Sequence, residues 1–356
     1  MSENRTDLIG LSKTELTDAV VSMGEKPFRA KQLWQWIYHH GAKDFDSMTS
    51  LAASFREKLE RDFYISRPET VRELTSADNT RKWLLQLSDG QRIESVYIPE
   101  EDRGAVCIST QIGCAMNCAF CNTGSQGFTR NLTAAEIVGQ FLLARDSYGE
   151  WPTPSDQTRY LSNIVVMGMG EPLLNFDNTA KALKILMDEE GVCISRRRIT
   201  VSTSGIAPLI PRIASEMRVR LAVSLHAPTD EIRNQIMPIN RKYPLKQLMD
   251  ACREYRKIAD EPRQRITFEY VMIDGLNDSE QNAYQLIELV KGIGAKFNLI
   301  PLNEWSGCPL KCSPRHKIEK FASILNKAGY SCPIRASRGR EIMAACGQLK
   351  AKTEAV

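Results

Sequence analysis

A chain of 356 residues, 42% hydrophobic and 25% charged, is long enough for one large α/β domain with a smaller appendage, and its composition argues against a disordered or membrane-embedded protein. The polar opening Met1 to Asp7 is followed by no apolar run of bilayer length, so a cytoplasmic protein that makes no membrane contact is expected. A formal net charge of +4 is compatible with a polyanionic partner without requiring one, and ten cysteines in a reducing compartment are core fillers, metal ligands or reactive thiols rather than a disulfide framework.

From Leu11 to about Asp62 apolar residues recur at helical spacing, among them Phe28, Leu33, Trp34, Ile37, Phe55 and Leu59, which predicts a small helical domain over residues 1–65. Its stretch Lys26 to Trp36 mixes basic and aromatic side chains and reads either as an RNA-gripping surface or as a core stripe. Over residues 66–99, Lys82 to Leu87 and Arg92 to Ile98 flank Ser88-Asp89-Gly90-Gln91; an Asp-Gly pair between two strand-like runs predicts a β-hairpin linker.

Strands then alternate with helical segments over residues 100–338. The candidate strands are Ala105–Thr110, Asn163–Met167, Ile199–Thr203, Arg220–Leu225, Ile266–Met272 and Phe297–Leu302, with Pro333 to Arg335 as a further short one. Repeated βα units predict a parallel sheet, and six are too few for a closed eight-stranded barrel. The expected fold is therefore α/β, a partial (β/α)6 barrel, with residues 339–356 as a C-terminal tail. Unusual polar residues fall just after the strands: Cys114 to Cys121, Gly170 and Glu171, Ser202, Ser224 and His226, and Asn303. Carboxyl ends of parallel strands form the active-site face of barrel-like folds, so one concave site built from several loops is expected there.

Cys114, Cys118 and Cys121 place three thiolates three and then two residues apart, on a loop after the first of these strands. A 4Fe-4S cluster usually takes four cysteines, one per iron; three leave one iron open to a substrate. Structural zinc normally needs four closed ligands in paired units, and no second pair follows, which leaves zinc with His226 as a fourth ligand as the alternative.

This spacing, with the Gly170-Glu171-Pro172 segment after the second strand, resembles the radical SAM (S-adenosylmethionine) superfamily. Over nearly the whole chain the similarity narrows to the RlmN/Cfr family of RNA adenosine methyltransferases, and within it to the RlmN branch. The runs that carry it include Glu94 to Pro99, Gln111 to Cys114, Val166 to Asn175, Thr200 to Gly205, Ser224 to Pro228, Asn298 to Pro301 and Ala344 to Leu349. The resemblance implies one 4Fe-4S cluster on Cys114, Cys118 and Cys121, with SAM held by Gly170, Glu171, Ser202, Ser224, Leu225, His226 and Asn303. Two SAM molecules are used per turnover. Cys346 takes a methyl group from one; the other yields the radical that activates that S-methyl group for attack on C2 of adenine. Cys107 then resolves the RNA–protein adduct through a transient disulfide, and Glu94 matches a position assigned as proton acceptor. The implied substrates are a 23S rRNA adenosine at the peptidyl transferase centre and the tRNA adenosine 3′ to the anticodon, with a flavodoxin-type electron donor and a monomeric enzyme.

Only the thiolate of Cys346 is a good nucleophile, so nearby positive charge is expected to help, and Arg335, Arg338 and Arg340 lie close in sequence. The chain departs from the family pattern at Arg340 and Met343, where relatives carry acidic residues. Two further readings stay open at this point: a Cfr-like methyltransferase acting at C8 of adenine, and a zinc-bound, non-catalytic RNA-binding protein.

Overall fold

The structure is a computed structural model that describes residues 5–101, 103–154, 159–261 and 264–351. The helical N-terminal part contains α1 (Lys13–Ser22), α2 (Phe28–Tyr38) and α3 (Ala53–Asp62), and is closed by a parallel pair between β1 (Thr6–Asp7) and β2 (Phe63–Tyr64). Ser12 and Glu15 form a capping box at the start of α1, which satisfies two backbone N–H groups that the helix itself leaves unpaired. The Lys26 to Trp36 stretch divides by helix face. Leu33 and Trp34 are core, and the Trp34 indole N–H donates to Asp188 in the larger domain at 3.1 Å; Phe28 is 53% exposed beneath Arg29.

The hairpin forms as the sequence predicts. β4 (Arg81–Gln86) and β5 (Arg92–Pro99) pair antiparallel, β3 (Glu69–Thr75) adds to the outside of β4, and Gly90 takes the positive φ of 80° that the tight turn needs. It is not a free-standing linker, however. β6 (Gly104–Cys107) pairs antiparallel with β5 on one side and parallel with β9 (Asn163–Val166) on the other, so the hairpin is the antiparallel edge of the main sheet. β7 (Gln111–Gly113) and β8 (Phe128–Asn131) make a separate antiparallel ribbon that brackets the cysteine loop and the short α4 (Asn122–Ser125).

Beyond the ribbon the chain runs α5 (Ala134–Tyr148), β9, α6 (Phe176–Met187), β10 (Ile199–Thr203), α7 (Ile210–Arg212), β11 (Arg220–Ser224), α8 (Asp230–Ile236), α9 (Leu245–Ala259), β12 (Ile266–Met272), α10 (Glu280–Leu289), β13 (Ala295–Pro301) and α11 (Arg315–Lys327). The nine-stranded sheet has the order β13-β12-β11-β10-β9-β6-β5-β4-β3, and its six strands from β13 to β6 are mutually parallel neighbours in chain order. That is the expected partial (β/α)6 barrel. All of β12 is buried, as a strand covered on both faces should be. Ile334 bridges Leu299 of β13 in parallel, and the Arg335 N–H donates to the Leu299 carbonyl at 2.8 Å, so Pro333 to Arg335 add a short seventh position at the edge. Pro333 lacks an N–H to donate, which suits an edge.

The ribbon beneath the cysteine loop tolerates no side chain at Gly113. Its φ is +72°, and a Cβ there would lie 1.8 Å from the Gly127 carbonyl oxygen. Gly113→Ala is therefore expected to destabilise the fold by at least about 1–3 kcal/mol, the range for a forced backbone conformation, read as a lowered midpoint in denaturant unfolding.

Candidate active site

The carboxyl ends of the parallel strands open into a cavity of about 950 Å³, solvent at its mouth included, within the roughly 300–1,000 Å³ of small-molecule sites. Cys114, Cys118 and Cys121 line it from one side. Gly170, Glu171, Ser202, Ser224, His226 and Asn303 line it from the strand ends. Leu225 is the one expected binder whose side chain does not reach it: strand alternation turns that side chain into the core, and its carbonyl accepts from the Arg233 guanidinium at 3.0 Å. Arg233 is itself fully buried and also donates to the Ser204 and Ser224 carbonyls, tying down strand ends that no ladder satisfies.

Glu171 is buried. Its Oε2 accepts from the Ser204 N–H and hydroxyl, both at 2.7 Å, while its Oε1 accepts from the Leu173 N–H. Burial still pushes its pKa up against these bonds. Gly170 sits at φ +101° with Gln111 so close that a Cβ would meet it at 2.5 Å, so this turn exposes backbone to the cavity. His226 accepts from the Val271 N–H through Nδ1 at 3.0 Å and packs edge-on against Phe120, and burial, with Arg233 adding, brings its pKa down to about 3. The ring is thus neutral, with Nδ1 committed to the backbone.

The three loop thiols fit an iron–sulfur cluster better than a single metal ion. Burial raises Cys114 to about 12 and Cys118 well above the ordinary range, so ligation has to displace their protons. Among the described residues no three His, Cys, Asp or Glu side chains converge closely enough to hold one ion. Zinc would need its sulfurs about 2.3 Å from a single point, whereas a cluster offers each thiolate its own iron.

Residues 339–351 cross the mouth as a strap with no helix or strand of its own. Asn303 Nδ2 donates to the Cys346 carbonyl at 3.2 Å, so the amide expected to hold SAM also holds the strap, and its Oδ1 accepts from Ser337. The Asn122 N–H donates to the Gly347 carbonyl and its side chain to that of Gln348, while Thr123 Oγ1 donates to the Leu349 carbonyl. This places Cys346 at a boundary. It lines the large cavity and also a smaller one that holds Cys107 and Cys121. Two thiols 239 positions apart in sequence thus share one cavity. Burial lifts Cys107 to about 12, with Cys346 adding; burial also raises Cys346, while the Arg335 guanidinium pulls it back down. Of the three arginines near the tail only Arg335 lines both cavities. Arg338 sits 3.8 Å from Asp78 and Arg340 is exposed.

Glu94 is placed elsewhere. Far from being solvated at a hairpin edge, it is 5% exposed, and it lines neither thiol cavity. Its Oε1 pairs with Lys82 Nζ at 2.8 Å and its Oε2 accepts from the Lys350 N–H at 2.9 Å, while Lys82 also donates to the Met343 carbonyl. Burial raises its pKa, with Lys82 opposing. In this arrangement the pair latches the strap from behind.

Glu269 was not foreseen. It is 4% exposed in β12 and lines the large cavity; Asn298 donates to its Oε1, while its Oε2 has no partner among the described residues. A carboxylate in the mostly apolar run Ile266 to Met272 is the signal that could have found it.

Residues 6–65 match the family described as ribosomal RNA large subunit methyltransferase N-terminal domain, and residues 108–287 match the radical SAM superfamily. The chain is 60% identical over 344 residues to the dual-specificity RNA methyltransferase RlmN of Rhodospirillum rubrum, covering 97% of this chain and 80% of that protein. It is 55% identical over 357 residues to the protein of the same description in Gluconobacter oxydans, covering 99% and 87%. The crystal structure of a radical SAM methyltransferase from Sphaerobacter thermophilus superposes with a TM-score of 0.90 at 43% identity, covering 98% of this chain and all of that one.

Two expected outcomes test the strap. Lys82→Met leaves the Glu94 carboxylate buried without its cation, a loss of about 3 kcal/mol or more for such pairs, and faster amide exchange over residues 343–350 should accompany it. Asp78 accepts from the Gly339 N–H at the start of the strap. Burial pushes the Asp78 carboxyl up, but hydrogen bonds from Thr80, Ser76 and Gly339 together outweigh it and hold it at about 2, below its ordinary 3.8. The ionised form is thus the one that anchors the strap: its contribution is complete above 3.8 and is lost as pH falls towards 2. Protection of the Gly339 amide should fall over that window, and in Asp78→Asn it should be low throughout.

Proposed function

The chain belongs to the RlmN family of radical SAM methyltransferases, and from that premise we propose that it methylates C2 of adenosine in 23S rRNA at the peptidyl transferase centre and in tRNA 3′ to the anticodon. The observation that supports this reading above the others is the position of Cys346, a tail thiol at the boundary between the cavity of the three loop cysteines and the cavity of Cys107. A radical SAM enzyme working on a small molecule would have no use for this pair.

C2 of adenine is electron-poor and does not displace a methyl group from a sulfonium, so the protein must carry the carbon itself. The family's cofactors are a 4Fe-4S cluster and SAM; held by Cys114, Cys118 and Cys121 and by the strand-end residues, they supply an electron, a methyl group and a carbon radical. Cys346, as its thiolate, would take the methyl group, forming a sulfur–carbon bond as the bond from that methyl to the sulfonium breaks. Arg335 stabilises the charge that this thiolate carries before attack. Asn303, Asn122 and Thr123 hold the strap carbonyls, so the thioether stays at the cavity boundary and faces the base. Cys107, as its thiolate, would attack the Cys346 sulfur, so that a disulfide forms as the bond from that sulfur to the base-bound carbon breaks and the carbon takes up a proton to become the methyl group. Two electrons from an external reductant would then restore both thiols, and a flavodoxin-type protein is the expected electron donor of the enzyme. Glu94 lies behind the strap, so its expected part as proton acceptor requires the strap to lift.

Among the described residues no helix is long and apolar enough to cross a membrane. The enzyme of this proposal works as a monomer in the cytoplasm, where ribosomal and transfer RNA are its substrates. Anaerobic reconstitution with iron and sulfide, followed by methylation of both RNAs and mass-spectrometric mapping of the modified carbon, tests the reading; a methyl group at C8 would overturn the C2 assignment. Cys346→Ala is expected to abolish methyl transfer, and Cys107→Ala to accumulate a covalent RNA–protein species visible as a retarded band. Clean turnover by Cys107→Ala would remove the resolving role.

A further inference from the structure

The strap that carries Cys346 has a second face. Ala344, Ala345, Cys346, Gly347 and Leu349 face the thiol cavity, whereas Met343, Gln348 and Lys350 face a groove on the other side. The floor of that groove is one face of the three hairpin strands. Period-two alternation puts Trp83, Leu85 and Ile93 into the core and Arg72, Lys82 and Arg92 on the open side.

The charges there are one-sided. Four cations, Arg72, Lys82, Arg92 and Lys350, line the groove against one carboxylate, Glu94, and Lys82 is the partner of that carboxylate. Arg72 and Arg92 have no hydrogen-bond or ion-pair partner among the described residues, and the Nε of Arg92 is buried in that state. A solvated sheet face usually intersperses charges of both signs. Here two cations without counter-ions, an exposed Arg72 and a half-buried Arg92, line a groove bordered by the strap, and a guanidinium nitrogen buried without an acceptor is a group that a bound anion would satisfy.

We propose that this groove takes the phosphate backbone of the RNA next to the adenosine being modified, with Arg72 and Arg92 as the contacts. The proposal rests on the reading of the chain as an RNA methyltransferase and adds where the RNA lies. One thickness of strap separates the groove from Cys346, so a base delivered to the thiol cavity around the strap brings its flanking phosphates to the groove. Asn122 and Gln348, which hold or belong to the strap, line the groove as well, so the RNA would touch the element that positions the thiol.

Binding of transcribed tRNA to the reconstituted full-length protein, followed by fluorescence anisotropy at several salt concentrations, tests this. The double variant Arg72→Ala/Arg92→Ala is expected to bind on the order of tenfold more weakly, with the slope of log affinity against log salt reduced by about 0.7–0.9 for each phosphate that is no longer neutralised. Arg72→Glu, at an exposed position, should weaken binding at least as much with an unchanged unfolding midpoint, and lysine at both positions should restore most of it. Unchanged affinity and salt slope in both variants, or weaker binding with an unchanged slope, would overturn the groove as a phosphate site. Failure of the unmodified protein to bind RNA at all would instead overturn the functional reading beneath it.

Discussion

Residues 339–351 cross the active-site mouth without a helix or a strand of their own; three turn bonds, from Met343, Ala344 and Gln348, run within them, and the other backbone groups they bury have to find partners on other parts of the chain. That requirement accounts for a set of polar residues that otherwise look unrelated. Asp78 takes the N–H of Gly339, Lys82 the carbonyl of Met343, Asn303 that of Cys346, Asn122 those of Gly347 and Gln348, and Thr123 that of Leu349; Glu94 takes the N–H of Lys350. These partners come from the hairpin edge, the cysteine loop and the end of β13. The strap therefore joins the antiparallel edge of the sheet to the open end of the partial barrel, and Cys346 lies in its middle.

The same burial that holds the strap sets the electrostatics of the site. Glu171, Glu269 and Cys107 are all pushed upward by desolvation, and the cavity holds few charges to offset it. Arg335 is the main exception: it feels Cys346 first, then Glu269 and Cys107, so one guanidinium serves both thiols and the unpaired carboxylate. In the proposed reaction the nucleophilic thiol needs its anion stabilised, while the resolving thiol has to stay protonated until its turn. A shared cation nearer in effect to Cys346, beside a Cys107 raised to about 12, separates those two requirements.

What could be read in the sequence was what local chemistry decides. The hairpin followed from Asp89-Gly90 between alternating runs, and the parallel strands from their repeated apolar cores; Ile199–Thr203 and Ile266–Met272 have the predicted bounds. The first strand ends at Cys107 rather than Thr110, because the chain leaves the ladder there to build the β7–β8 ribbon. The cysteine spacing was legible for the same local reason. The surroundings of Glu94 were not: its burial depends on the Lys350 backbone, 256 positions away, closing over it. Asn303 was foreseen at the site but not in its strap-holding part. Leu225 belongs to a motif whose neighbours reach the cavity, yet alternation along β11 sends its own side chain inward. Arg335 could not be told from Arg338 and Arg340 by sequence, since all three flank the same tail and only the Leu299 backbone bond fixes which one turns inward.

The position of Glu94 behind the strap bears on how the tail works. A carboxylate buried beside Lys82 and bonded to the tail backbone favours the docked strap for as long as both bonds last. In the proposed reaction the docked strap borders the cavity of the three loop cysteines and carries the sulfur that is methylated. Cys346 nevertheless has to serve three partners in turn in that reaction: a sulfonium, an adenine and Cys107. A strap held mostly by hydrogen bonds to backbone, with a single ion pair behind it, can be displaced without unfolding the sheet, because none of its bonds belongs to the ladder. Tight docking through helix or strand pairing would have fixed the thiol against one partner only. The irregular tail is thus a condition of the proposed chemistry, since it holds the sulfur at the cavity boundary yet loosely enough to pass it on.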